Sequence, residues 1–426
     1  MRPVRRSVVV VLLMLVMMLS IVDKTIFAFA GPKIIDELQL SPVTFGLIGS
    51  SFYCLYSISG VLVGFLANRI PTRWILVAMA IVWMASQVLT GLSQTLVALV
   101  IGRLLLGAGT GPATAVTQHA CFKWFDAQNR VVPSSLIQVA IMLGALAGGI
   151  GLPLAINWVG WRGAYFMLAG ASVIWMAAWM VFGAEGNRGT AVEQAPHREG
   201  DYRRLLLNRT YVWITLLGFL GYLPNALAYS WIPVYMQKGY GLTPLENGYL
   251  AVVATSLILV VNIVVSLLAR RASLRGASLQ ATMVAIPMVA SVLAGVAYMV
   301  LVLHHGSRAS SIAIYCLGGV LINILPTFSN AIVAHIAPPQ KRGSMLAIHL
   351  GVSTSAGILA PWIVGQMVAH FNGDIVRGFE MSLAGFGIAI VAAGLMGLRM
   401  VRPEHTRQAL AAEEEQSAYL LKAASM

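Results

Sequence analysis

The sequence predicts an all-α polytopic membrane protein: twelve transmembrane helices in two pseudo-symmetric six-helix bundles. Three observations lead there. Of the 426 residues, 58% are hydrophobic and only 10% charged, whereas soluble domains carry roughly 25% charged residues. Twelve apolar runs can be read, each close to the roughly 20 residues a span requires. Features of the first half also recur at matching places in the second, as expected of a duplicated architecture with its binding site between the repeats. The runs are apolar all round, which excludes a soluble enzyme whose helices would show polar faces at the helical period.

The first run, 8–30, follows Arg2, Arg5 and Arg6 and ends near Ala28-Phe29-Ala30, an imitation of a cleavable signal peptide. Its apolar length exceeds a signal h-region, so it reads as a retained span. Runs 43–67, 74–93, 96–119, 133–157 and 162–184 follow with short connections. A polar stretch from Glu185 to Arg209 separates them from runs 210–236, 246–269, 279–303, 310–336, 344–370 and 379–400. The expected organisation is a bundle over 1–184, a loop over 185–209, a bundle over 210–400 and a polar tail over 401–426. The tail carries the acidic run Glu413-Glu414-Glu415 and reads as a short helix or as disordered. Gly64 to Arg73 after span two is echoed by Ser266 to Arg275 after span eight, and Gly149 with Pro153 by Gly357 with Pro361.

The formal charge of +13 follows from topology and calls for no nucleic-acid partner. With the N-terminus inside, 21 basic residues fall on the cytoplasmic side and five opposite, leaving Lys24 and Arg103 within spans. Basic residues gather on the inside, so both termini are expected in the cytoplasm, with the chain in a bacterial inner membrane. Cys54, Cys121 and Cys316 lack metal-ligand spacing and read as buried thiols. No metal or cofactor is expected. His304 and His305 have no third ligand nearby in sequence.

Residues 64–73 resemble the loop between spans two and three of the major facilitator superfamily, which typically reads Gly-x-Leu-Ala-Asp-Arg-x-Gly-x-Arg. Gly64, Arg69 and Arg73 match, while Asn68 and Pro71 depart. The resemblance implies a conformational-switch loop at Gly64, Asn68, Arg69 and Arg73, its latch weakened by Asn68. Within the superfamily the chain is similar to the anion:cation symporter family, organic anion/proton symporters. The similarity rests on Asp23-Lys24, Phe52 and Tyr56, Arg103 to Gly107, Trp124-Phe125, Gly160-Trp161-Arg162, Trp231 to Tyr235, Arg342-Gly343 and Gly357 to Gly365. It implies the major facilitator fold and secondary active transport of a small organic anion, such as a sugar acid or aromatic carboxylate. Where the family has a proton-coupling Glu seven residues after the span-four Arg, this chain has Thr110. Thr110 shares a face with Arg103; it can hydrogen-bond a substrate but carries no proton.

Of the fifteen acidic residues, only Asp23 sits well inside a span. An ionised group at mid-bilayer costs at least ~2.5–3.5 kcal/mol, so it faces a cavity or a partner. Lys24 and Arg103 against Asp23 leave one positive charge over, which suits a monoanionic substrate held by Lys24 or by the bidentate Arg103. The competing readings are an Asp23–Arg103 ion pair and a Lys24 that snorkels to the interface. Asp23 is a candidate proton carrier, and so is His349, which competes with a packing role. Tyr222, Asn225 and Tyr229 fall on one helical face around Pro224. Gln138, Asn323 and Asn330 complete the polar candidates, and the resemblance assigns Tyr56 and Asn330 to substrate contact. The expected partners are a small organic anion, a proton and the lipid bilayer, for a monomeric importer. Efflux or passage without proton symport, motivated by Thr110, and a solute sensor are the alternatives.

Overall fold

The computed structural model describes residues 3–66, 70–126, 129–186, 202–338 and 341–410. Every regular element among them is a helix, and eleven are long and apolar enough to cross a membrane. The first are α1 (Pro3–Leu38), α2 (Pro42–Leu66), α3 (Thr72–Gly91), α4 (Leu96–Thr110), α5 (Ala113–Phe122) and α6 (Val131–Phe182). Helix α6 runs for 52 residues but breaks at Gly160, where φ is 75° and ψ 169°. A Cβ there would meet nothing within 4 Å, so the left-handed backbone, not crowding, calls for glycine. The break makes α6 the fifth and sixth spans, and the twelve-span architecture holds.

The remaining helices are α7 (Tyr202–Leu207), α8 (Arg209–Ala226), α9 (Trp231–Val234), α10 (Pro244–Leu274), α11 (Ile286–Leu303), α12 (Arg308–Ile322), α13 (Ile324–Ile336), α14 (Arg342–His370) and α15 (Ile375–Met400). A last helix of about two turns covers 403–410. Several predicted spans are interrupted, each beside a proline that lacks the N–H an α-helix needs. Span four divides into α4 and α5 at Gly111-Pro112. Span seven leaves the α-helix at Ala226, continues as a 3₁₀ turn Leu227–Tyr229, and closes through α9 into a π turn, Tyr235–Gly239. There Pro233 cannot donate to the Tyr229 carbonyl. Span nine opens as a π turn, Gln280–Ala285, ahead of Pro287. Span ten divides at Asn323, ahead of Pro326.

The chain forms two compact units. The first holds residues 1–196, 223–255 and 354–382. In it α1 lies along α6, α3 meets α4 and α6, and α2 lies against α4. The α2–α4 approach depends on small residues: a Cβ on Gly107 would sit 2.0 Å from the Phe52 carbonyl oxygen, and one on Gly111 2.2 Å from that of Tyr56. Small residues allow such backbone contact between membrane helices. Tyr53 Oη donates to the Ala226 carbonyl (3.1 Å) and Trp231 Nε1 to the Pro361 carbonyl (2.9 Å). The second unit holds residues 197–222, 256–353 and 383–426. It is built on the α11–α12 contact and a core of Ala269, Ala290, Ile324 and Phe328.

Candidate anion-binding site

In the first unit, α1 contributes Asp23, Lys24 and Phe27, α2 contributes Phe52 and Tyr56, α3 Gln87, α4 Arg103 and α6 Tyr165. Arg103 is 2% exposed. Its guanidinium carbon lies 4.4 Å from the Phe27 ring centroid and 4.7 Å from that of Phe52. The close α2–α4 packing at Gly107, one turn along from Arg103, brings Phe52 to that cation. All three guanidinium nitrogens are buried, and none has a hydrogen-bond partner among the described residues. Two aromatic faces stabilise the charge but leave every N–H donor unused. Leaving such a group unmade is the costly state for a buried donor.

The expected alternative, an Asp23–Arg103 ion pair, is not formed. Asp23 is fully buried and its Oδ1 accepts from Gln87 Nε2 at 2.7 Å. Its Oδ2 has no partner among the described residues. Tyr165, whose hydroxyl is likewise unpartnered, lies within electrostatic reach of both Asp23 and Arg103. Lys24 does not snorkel either: it is 6% exposed, because α1 continues to Leu38 and places Lys24 in mid-helix instead of near its end. Its Nζ donates to Tyr56 Oη at 3.4 Å and lies 4.9 Å from that ring's centroid, with Tyr229 also in electrostatic reach. The cluster therefore holds two cations and one carboxylate, with no salt bridge among them.

The other candidates distribute unevenly. Thr110 is buried, but its hydroxyl donates to the Leu106 carbonyl of its own helix at 2.7 Å, leaving only lone pairs for a ligand. Gln138 is exposed on α6. The face expected to carry Tyr222, Asn225 and Tyr229 is cut, since Tyr229 stands in the 3₁₀ turn beyond the end of α8. Tyr222 belongs to the second unit and Asn225 and Tyr229 to the first; all three are half-buried. Asn323, in the second unit, spends its amide on the Gly319 carbonyl at 2.8 Å, while the Oδ1 of Asn330 is buried without a partner. His349, 1% exposed, has Thr215 Oγ1 2.9 Å from Nδ1 and Ser329 Oγ 3.2 Å from Nε2. Both ring nitrogens are engaged by neutral hydroxyls. His304 Nε2 is engaged by Ser310 Oγ at 2.7 Å.

In the switch loop, Asn68 and Arg69 lie outside the described residues; Gly64 is in the last turn of α2. Arg73 opens α3, its Nη2 donating to the Met180 carbonyl at 3.0 Å. Sequence reasoning treated Glu185 as loop, yet its carboxylate caps this helix. Oε1 accepts from Thr72 N (3.1 Å), Thr72 Oγ1 (2.9 Å) and Lys123 Nζ (2.6 Å), and Oε2 from Arg73 N (2.8 Å). Burial works against the charge, but the Lys123, Arg73 and Thr72 donors outweigh it and hold the Glu185 carboxyl below its ordinary range. Gln87, Phe27 and Tyr165 were also missed. Gln87 could have been found as the one amide within the apolar run of span three, and Phe27 as the residue one turn from Asp23.

Twelve spans define a polytopic membrane protein. A family model described as Major Facilitator Superfamily matches residues 13–303, and the chain belongs to that superfamily, a family of transporters and not of enzymes. It is 25% identical over 416 residues to the "Hexuronate transporter" of Bacillus subtilis, covering 93% of this chain and 94% of that one. It is 25% identical over 254 residues to the "Probable sulfoacetate transporter" of Cupriavidus necator, spanning 55% of this chain and 58% of that one. Among solved structures, a bacterial homologue of the human lysosomal transporter Spinster matches with a TM-score of 0.75 at 17% identity, over 97% of this chain and 96% of that one. A D-xylose–proton symporter matches with a TM-score of 0.72, also at 17% identity, over 94% and 98%. These likenesses show the fold.

Proposed function

We propose that this protein is a secondary active transporter of a small organic anion, whose acid group is held by Arg103 with Lys24 beside it. One observation carries the reading: a fully buried guanidinium, faced by two aromatic rings, with all its N–H donors unpartnered. A carboxylate or sulfonate satisfies a planar fork of donors in bidentate fashion. The names of the hexuronate and sulfoacetate transporters supply the substrate class, a small acid bearing hydroxyls or a sulfonate. Asp23, a buried carboxylate with no cationic partner, is the proposed proton carrier, so the cycle is import of anion with proton by alternating access across a bacterial inner membrane, both termini cytoplasmic.

Uptake of a hexuronate or sulfoacetate by proteoliposomes tests this. Arg103→Ala abolishes saturable uptake while the protein still reaches the membrane; wild-type uptake by that variant overturns the anion site. The second reading, passage without proton symport, is favoured by Thr110, whose hydroxyl is engaged within its own helix. Equal accumulation with and without an imposed pH gradient selects it.

A further inference from the structure

Asp23 and Gln87 present a deficit of hydrogen-bond donors. Gln87 Nε2 donates to Asp23 Oδ1 at 2.7 Å, while Asp23 Oδ2 and Gln87 Oε1 are both buried acceptors without a partner among the described residues. Each side chain is fully buried, so bulk water does not serve these oxygens. A carboxyl and an amide are planar groups of matching width. An edge-to-edge arrangement of the two would set the amide oxygen opposite the second carboxyl oxygen. A single proton on Oδ2, donated to Oε1, would satisfy both orphans at once and close a cyclic acid–amide pair. We infer that Gln87 is the positioning residue of the proton site, holding Asp23 through both halves of its protonation cycle. The inference rests on the reading of Asp23 as proton carrier and adds the group that makes loading reversible.

In the protonated state Oδ2–H donates to Oε1 and Nε2 donates to Oδ1, two neutral hydrogen bonds. In the ionised state Nε2 donates to the carboxylate, one charge-assisted bond, which is roughly twice as strong. Gln87 thus serves both states, and the ionised one more, because a buried anion left with no donor costs more than a neutral acid left with none. The charged and titratable groups of the cluster are Tyr165 from α6, Arg103 from α4, Lys24 on the same helix, Tyr53 and Tyr56 from α2 and Tyr229 from the 3₁₀ turn. The α5 helix brings His119, but it meets α1 near Arg6, which is close to Cys121; that is about 25 Å along α1 from Asp23. None of these groups faces Asp23 as an ion-pair partner. A hard metal cation is a poorer occupant, since it takes about six oxygens or more. Among the described residues the unpartnered oxygens near Asp23 are its own Oδ2, Gln87 Oε1, Tyr165 Oη and, one turn back on α1, Ser20 Oγ, four in all and short of that number.

The test uses full-length protein in two assays. In pH-jump infrared difference spectra, the wild type shows a protonated-carboxyl C=O band that Asp23→Asn removes. Gln87→Leu leaves the carboxylate without its donor, so its band persists to more alkaline pH by roughly one to two units. In proteoliposomes containing hexuronate, Gln87→Leu lowers pH-driven uptake at least roughly tenfold more than hexuronate exchange, the loss of one charge-assisted bond. Gln87→Glu, which gives a carboxyl pair sharing one proton, restores pH-driven uptake with a displaced pH profile. Equal loss of both activities in Gln87→Leu, with an unmoved infrared titration, marks a purely structural role and overturns the inference. So does the absence of any band assignable to Asp23, or accumulation driven by sodium instead of protons. If hexuronate is not carried at all, the substrate reading fails while the infrared titration still decides this one.

Discussion

Replacing Arg103 with methionine should move two measurements in opposite directions. In the unliganded protein the buried guanidinium has lost its hydration, at a cost of several kcal/mol per ion. The Phe27 and Phe52 faces return roughly 0.5–2 kcal/mol each, and no hydrogen bond returns anything. Replacing a buried ion pair by well-packed apolar residues is often neutral or stabilising by about 1–4 kcal/mol, and an ion with no counter-ion has less to lose. Arg103→Met is therefore expected to raise the melting temperature of the empty protein, or leave it unchanged. Binding goes the other way. A bidentate acid group makes two charge-assisted bonds worth about 1.5–3 kcal/mol each, so the variant loses about 3–6 kcal/mol of affinity, a factor of roughly 10²–10⁴. The assay is a thermal-shift titration of purified wild type and variant with a hexuronate and with sulfoacetate. A variant that melts well below the wild type and still gains stability from the anion would refute the assignment: Arg103 would then be a structural cation.

Gly107→Ala puts a methyl group 2.0 Å from the Phe52 carbonyl oxygen; separating α2 from α4 should cost about 1–3 kcal/mol, and anion affinity should fall with thermal stability because Phe52 moves from Arg103. Glu185→Gln weakens the cap on α3 by roughly 0.5–2 kcal/mol. Since the folded Glu185 carboxyl lies below its ordinary 4.5, the wild-type advantage is fully present above that value and disappears as pH falls through the lower, folded one; a melting-temperature difference constant across this range argues against the cap. His349→Asn should leave the pH dependence of uptake unchanged, because the buried ring meets neutral hydroxyls at both nitrogens and no carboxylate among the described residues to balance a second proton; a displaced pH profile would restore His349 as a proton carrier.

The membrane fold was legible because lipid imposes a simple rule: every backbone polar group is satisfied within a helix and the outside is apolar. Run length and charge asymmetry then give the spans. The breaks at Pro112, Pro233, Pro287 and Pro326 carry weaker signals, since Pro361 lies inside the continuous α14. A proline shows where a hydrogen bond is missing but not whether neighbouring helices supply a replacement. Arg103, Lys24 and Asp23 were legible because intramembrane charge is rare. Their pairing was not. Whether Asp23 meets Arg103 or Gln87 depends on the rotation of α1 against α3 and α4, which packing sets and no periodicity records. Glu185 escaped for a related reason: it caps a helix more than a hundred residues earlier in the chain, and only local capping patterns are visible in sequence.

The separation of Asp23 from Arg103 bears on coupling. Had they paired, the two charges would neutralise one another, and an arriving anion would have to break the pair. Unpaired, each lacks a counter-charge of its own: Arg103 an anion, Asp23 a proton. On the proposed function, loading one monoanion and one proton relieves both deficits and adds no net charge to the moving protein. Uptake of a monoanion at one proton per anion is therefore expected to be electroneutral. Proteoliposomes with the membrane potential clamped by potassium and valinomycin should accumulate a hexuronate in response to a pH gradient, with the same initial rate at zero and at inside-negative potential. The potential is worth about 2.3 kcal/mol per charge per 100 mV, so a second proton per anion would make accumulation rise by roughly fifty-fold over that span. A potential-dependent rise of that order would refute a single proton site and require a second titrating group.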